Sequence, residues 1–240
     1  MHKPGARRWR LYSGLIMFAY IGLHMVNHAL GLWSLPLAER GLGLAIALWH
    51  SLPGTILLYG AAATHFLLAL RTLYERRHWN LPAIEWVRLW AGFSLPWLLI
   101  GHVMSTRVAG GWYAYIVSYE NVVGALVGGG LQGWQIALLA PGWIHGCLGI
   151  WLNLRRYLVM RRLKPALVAL MIGMPVLSAL GFASMARTLQ TAPRAAPAAA
   201  LAGEQRQTLE TWRHGIVVFY FLLIAGAAGA GFYRSRREDS

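Results

Sequence analysis

The chain has 240 residues, 57% hydrophobic and 12% charged, with a mean hydropathy of +0.46, which is too apolar for a water-soluble domain of this length. A single cysteine, Cys147, excludes an intrachain disulfide, a zinc or iron–sulfur ligand set and any Cys-x-x-Cys motif. The net charge of +14, from 22 Lys+Arg against 8 Asp+Glu, would suit nucleic acid, but the basic residues cluster at the ends of apolar segments, as orientation signals in membrane proteins do.

Six spans are predicted. The first covers about 11–33 and follows a basic segment with no small-residue cleavage site, so it reads as a retained helix rather than a signal peptide. Residues 35–51 are too short and broken to cross and are predicted to lie in the interface as an amphipathic segment. The second span, about 52–73, has roughly the 20 residues that cross ~30 Å of hydrocarbon. A charged turn, 71–88, follows it. The third, about 89–106, contains Pro96, which removes a backbone donor and predicts a kink. Residues 107–131 are rich in glycine and aromatics, with Trp112, Tyr113, Tyr115 and Tyr119 placed as an interfacial belt would be. The fourth span, about 132–154, contains Pro141 and ends in a basic turn, 155–164. The fifth covers about 166–186 and is followed by an Ala/Pro-rich stretch, 188–207, that reads as a solvated loop. The sixth covers about 214–233 and stops on a basic exit. With short connections and no soluble-domain pattern, residues 1–240 read as one all-α polytopic bundle in the lipid bilayer.

Sixteen Lys and Arg fall on one side of this topology and six on the other. The positive-inside rule then predicts both termini in the cytoplasm, and nucleic-acid binding loses its support.

Ionisable residues at membrane depth are costly and mark a site. At ~1.5 Å per residue, His28 and His102 lie toward the outer face, and His65 and His145 toward the inner half. Two imidazoles on different helices at matching height are what a bis-histidine b-type haem requires, and helices 1 to 4 meet the requirement twice. Two non-covalent haems b are therefore expected, with iron ligands His28 and His102 at one site and His65 and His145 at the other. Small neighbours support the inner pair: Gly142 and Gly149 flank His145, and Ala61, Ala62 and Ala69 flank His65, leaving a helix face against which a flat macrocycle can lie. The same small residues also serve close helix packing in lipid.

His24 sits one turn below His28 on the same face and matches His102 better in its distance from the basic edge. His28 is preferred as ligand because it leaves more vertical room between two haems, and His24 is assigned to a propionate, a water or a quinone. Propionates need donors near the membrane edge: Arg107, Ser105 and Thr106 are candidates for the outer haem, and Arg71, Arg155 or Arg156 for the inner. His50 reads as interfacial or as part of a quinone pocket. His2, His78 and His214 lie in loops or at helix ends, and Cys147 and the methionines read as packing.

The deep His65 followed by Leu70-Arg71-Thr72-Leu73, and His145-Gly146 with Gly149 and Arg155-Arg156, resemble the dihaem cytochrome b membrane subunits of succinate dehydrogenase and fumarate reductase. His24-Met25-Val26-Asn27-His28-Ala29-Leu30-Gly31-Leu32, the Gly101-His102 span ending Thr106-Arg107, and the count of six helices are similar to the six-helix anchor fused ahead of the catalytic domain in bacterial class III adenylate cyclases. The resemblance covers about 11–233 and is carried by spans one to four. It implies a bacterial cytoplasmic-membrane protein with two haems b, a quinone as possible redox partner, and a redox or quinone-sensing role regulating a C-terminally fused cyclase, sometimes through a ferredoxin-like domain. It also implies a homodimer. No cyclase or iron–sulfur domain is present, so a catalytic domain is expected to be missing from this chain, and no catalytic residue is assigned. A second reading makes the chain the quinone-reacting anchor of a respiratory dehydrogenase with separate flavoprotein and iron–sulfur partners. A third, a haem-free transporter with histidine proton relays, would call for buried carboxylates, and Asp and Glu occur only near ends and loops.

Overall fold

The computed structural model describes residues 4–77, 79–130, 132–191 and 201–238. His2, His78 and the 192–200 part of the Ala/Pro-rich stretch lie outside the described residues. Every regular element among the described residues is helical: α1 (Pro4–Ala29), a 3-10 turn (Leu30–Leu32), α2 (Leu35–Trp49), α3 (Leu52–Tyr74), α4 (Ala83–Val103), a π turn (Met104–Val108), α5 (Ala109–Tyr113), α6 (Tyr119–Gly128), α7 (Gln132–Leu154), α8 (Leu158–Arg162), α9 (Lys164–Thr191) and α10 (Gly203–Glu238). Six segments are long and apolar enough to cross a membrane: Gly5–Leu32, Leu52–Tyr74, Ala83–Tyr113, Ile136–Leu154, Lys164–Thr191 and Gly203–Arg237. The chain is a multi-pass membrane protein. Large apolar side chains such as Leu52, Trp90 and Leu222 stand exposed on these helices, as a lipid-facing surface requires.

Serines start the helices that begin in polar surroundings. Ser34, Ser51 and Ser118 each accept a backbone N–H from the first turn of α2, α3 and α6, from Leu37, Gly54 and Asn121 respectively, which satisfies one of the donors a helix start leaves open. Ala114, at φ 52°, closes α5 in the left-handed conformation, its N–H reaching the Ala109 carbonyl.

Helix α1 packs against α3, α7 and α9. Helix α4 packs against α7, and α10 lies along both α3 and α4. The starts of α1 and α4 and the ends of α3 and α10 meet at one end of the bundle, where Arg10 donates to Thr72 (2.7 Å), the Arg234 guanidinium lies over the Tyr74 ring (4.9 Å) and His145 reaches the Arg88 carbonyl. This basic end also holds the Arg76–Trp79, Arg156–Tyr157 and Lys164–Trp151 cation–ring pairs, an arrangement suited to a membrane–water boundary.

Several elements run past the bounds read from hydropathy. Helix α4 starts at Ala83, inside the expected charged turn, and helix continues beyond Thr106 through the π turn into α5. Residues 188–191 and 203–207, expected as loop, are helical ends of α9 and α10. Charged and polar residues mark where the hydrocarbon stops, and a helix continues past that point where its outer turns find packing, as Leu209 of α10 does against Met104 and Ala109. Tyr119 is not part of an exposed aromatic belt. It is buried, and the Asn27 amide donates to its hydroxyl (2.9 Å).

Candidate functional site

Four helices bring their histidines into two groups. Toward the basic end, His65 of α3 and His145 of α7 face each other with ring centroids 6.0 Å apart and ring planes at 81°. Toward the other end, His24 of α1 and His102 of α4 stand 5.9 Å apart at 70°. A metal bound between two imidazole nitrogens at about 2 Å from each sets the two ring centres about 6 Å apart, so both pairs have the spacing of a bis-imidazole ligand set. Among the described residues, no group of three or more His, Cys, Asp or Glu could hold a bare metal ion. Two imidazoles are the protein ligands that an iron porphyrin would call on, so each pair would suit that group where a bare metal ion would lack ligands.

The inner pair is anchored on backbone. The His145 Nδ1–H donates to the Arg88 carbonyl of α4 (2.9 Å), and the His65 Nδ1–H donates to the Arg10 carbonyl of α1 (3.1 Å), with the Ser13 hydroxyl 3.3 Å from the same nitrogen. A carbonyl only accepts, so both Nδ1 atoms carry the proton and both Nε2 atoms keep a free lone pair. Metal-binding histidines are held in this way by outer partners.

The outer group is arranged differently. His28, one turn above His24, shares a 3.2 Å hydrogen bond with it through the two Nε2 atoms. The His28 ring packs edge-on against Tyr119 (5.4 Å) and Phe182 (6.0 Å), and its Nδ1, like Asn27 Oδ1, is buried without a hydrogen-bond partner among the described residues. The ring that His102 faces on α1 is His24, which is also stacked on Tyr20 at 9°. Burial pushes the Tyr119 phenol well above the usual tyrosine range, so it stays neutral beside His28.

The candidate propionate donors separate. Arg107 is half-buried near the outer group, donating to Thr55 Oγ1 (3.0 Å), with its charge acting on Tyr20 and His50. Burial and that charge hold His50, at the end of α2, below the ordinary imidazole range. The Ser105 and Thr106 hydroxyls turn back onto the His102 carbonyl (3.2 and 2.7 Å). At the basic end Arg71 is exposed and paired with Glu75 (2.7 Å), and Arg155 and Arg156 are exposed. The half-buried guanidiniums near the inner pair belong to Arg10 and Arg88, which lie close enough to interact with each other and with Arg76. The sequence reading, which placed the inner candidates at Arg71, Arg155 and Arg156, did not single these two out.

A repeat in the sequence would have found them. Arg10-Leu11-Tyr12-Ser13-Gly14 on α1 matches Arg88-Leu89-Trp90-Ala91-Gly92 on α4, and in each case a histidine, His24 or His102, follows ten residues after the glycine. Both segments are 78 apart, and His65 and His145 are 80 apart. Each half is a long helix, a short helix and a second long helix, in the order α1, α2, α3 and then α4, α6, α7. In each, the histidine of the second long helix bonds the arginine carbonyl of the first.

Comparison with family models, with curated proteins and with solved structures finds no match for the chain.

Of the small residues expected to flank a macrocycle, Gly149 opens onto free space, whereas Gly142 is packed by Leu95 and Ile21, and Ala61 is buried. Phe18 and Trp143 stack at 4.4 Å. Phe18 lies between Gly14 and His24 on α1, which puts this aromatic pair between the two imidazole sites.

Proposed function

We propose that the chain is a dihaem b-type membrane cytochrome domain, with His65 and His145 holding one iron and His24 and His102 the other. The observation that carries the reading is the pair of cross-helix imidazole contacts near 6 Å at two heights. Haem b supplies one-electron redox chemistry when bound. The chain's part is to fix two pairs of neutral imidazoles in a low-dielectric bundle and to offer cations to carboxylates at the edges, Arg10 and Arg88 at the basic end and Arg107 at the other. His28 then packs the outer site against Tyr119 and Phe182. The bundle lies with its basic end in the cytoplasm, the orientation its Lys and Arg distribution favours. Its output, by the resemblance noted above, is a redox or quinone signal to a cytoplasmic cyclase domain. Electron delivery as a dehydrogenase anchor would use the same two sites.

The test is a reduced-minus-oxidised absorption spectrum of the detergent-purified chain with extracted haem counted per polypeptide. Two non-covalent haems b are expected, one lost in His65→Ala or His145→Ala and the other in His102→Ala. A colourless chain from haem-sufficient cells removes the proposal and leaves the buried histidines to a transport or packing role.

A further inference from the structure

We propose that Gly14 and Gly92 are positioning residues: paired notches in α1 and α4 through which the inner imidazoles reach backbone carbonyls, which locks both in the Nδ1–H tautomer with Nε2 free for the iron. A side chain at Gly92 would bring its Cβ within 2.6 Å of both Nδ1 and Cε1 of His145. At Gly14 it would stand 3.1 Å from Cε1 and 3.3 Å from Nδ1 of His65. Each glycine lies one turn after the arginine whose carbonyl accepts the bond, so its missing side chain opens the path to that oxygen. The device appears twice, on the two matching segments Arg10–Gly14 and Arg88–Gly92, and in each half it ties the second long helix to the first. Neither glycine is needed for a turn, and each sits in mid-helix at a cost of about 1 kcal/mol relative to alanine. In the outer group His24 and His28 instead bond each other through Nε2.

The consequence is chemical. An imidazole that donates Nδ1–H to a carbonyl is a more basic ligand, and a more basic axial ligand favours the oxidised iron. Removing the notch pushes the ring off the carbonyl, so the inner potential rises. The redox part of this inference rests on the dihaem reading, and the following measurements separate the two.

The full chain is purified with its haem and titrated potentiometrically. In Gly92→Ala the inner haem is expected to be retained with its reduced-to-oxidised ratio at fixed ambient potential raised about tenfold, about 59 mV for one electron, while the outer haem does not move. Gly14→Ala, with looser contacts, shifts the inner haem in the same direction by less. Gly60→Ala on α3, where a Cβ meets nothing within 4 Å, shifts neither. An inner potential unchanged in Gly92→Ala overturns the proposal. Should Gly92→Ala fail to fold, Gly14→Ala decides in the same way. If the wild-type chain holds no haem, the dihaem reading fails by itself, and the notches are judged on the haem-free chain by nitrogen NMR of labelled histidine. Nδ1–H at His65 and His145 in the wild type, lost at His65 in Gly14→Ala, supports them, and Nε2–H at His145 in the wild type overturns them.

Discussion

A buried imidazole must place two nitrogens, and the partners of those nitrogens decide what the ring can bind. His65 and His145 spend Nδ1 on carbonyls and keep Nε2, whereas His24 and His28 spend one Nε2 on the other. The ring that meets His102 is His24, which in the dihaem reading makes His24 the outer ligand. His28, 4% exposed and wedged against Tyr119 and Phe182, would have to leave that packing to become a ligand. His24→Ala is therefore expected to lose the outer haem, and His28→Ala to keep two haems per chain with an altered outer spectrum; haem counts on the two purified variants check this, and the opposite pattern reverses the assignment. Tyr119 is a second residue whose loss should register. Tyr119→Phe deprives the Asn27 amide of its acceptor while Asn27 Oδ1 is already unpaired, and leaving one more buried polar group unsatisfied costs about 1–3 kcal/mol. Unfolding in mixed detergent–SDS micelles should move to lower SDS by a corresponding amount, whereas no change would mean that the amide finds another partner.

Helix α9 lies so close to the end of α1 and the turn after it that neither Gly181 nor Gly31 has room for a Cβ. A Cβ on Gly181 would collide with the His28 carbonyl, and one on Gly31 would stand 2.6 Å from the Gly181 carbonyl. The Ser178 hydroxyl, also at this crossing, lies 2.8 Å from the Met25 carbonyl. Small residues and an interhelical hydroxyl bond are how helices associate in lipid, where apolar burial gives no drive. Gly181→Ala should push α9 off α1, costing about 1–3 kcal/mol as overpacking does, and because His24 and His28 ride on α1, the outer spectrum should change while the inner does not. Equal perturbation of both would show that the crossing supports the whole bundle. The six spans were legible in the sequence because apolar runs of bilayer length, bounded by arginines, leave few alternatives, and the deep histidines stood out as ionisable residues among Leu, Ala and Ile. Less was legible at the ends. Helix extent past the hydrocarbon depends on packing such as that of Leu209, and the half-buried placement of Arg10 and Arg88 near the inner pair depends on the starts of α1 and α4 converging with the end of α3. That His102 meets His24 was in principle readable from the 78-residue repeat, but a weak match of five residues and a histidine gains meaning only once α1 and α4 are seen to occupy equivalent places.

On the scale of the molecule the two imidazole sites divide the bundle. Along α1 from Gly14 to His24, and along α4 from Gly92 to His102, ten residues correspond to about 15 Å, half of a hydrocarbon core of about 30 Å, with the Phe18–Trp143 stack between. With haem bound at both sites as proposed, such a spacing would let an electron pass between the two faces, and the orientation of the chain would fix which site meets the cytoplasm. The side chains at the ends supply a test. The helices alternate so that the starts of α1, α4 and α9 and the ends of α3, α7 and α10 form the basic end, which the positive-inside rule assigns to the cytoplasm. Cys147 is the single native cysteine and is buried among Met25, Leu139 and Trp143, so after Cys147→Ala single cysteines can report topology. Leu163→Cys lies between α8 and α9 at the basic end, and Gly111→Cys and Thr211→Cys lie at the opposite end, all at exposed positions. In intact cells a membrane-impermeant maleimide is expected to label positions 111 and 211 and to reach 163 only after the membrane is opened. Labelling of 163 alone in intact cells would turn the bundle over, placing the carbonyl-locked pair, His65 and His145, on the external side and the His24–His102 pair next to the cytoplasm.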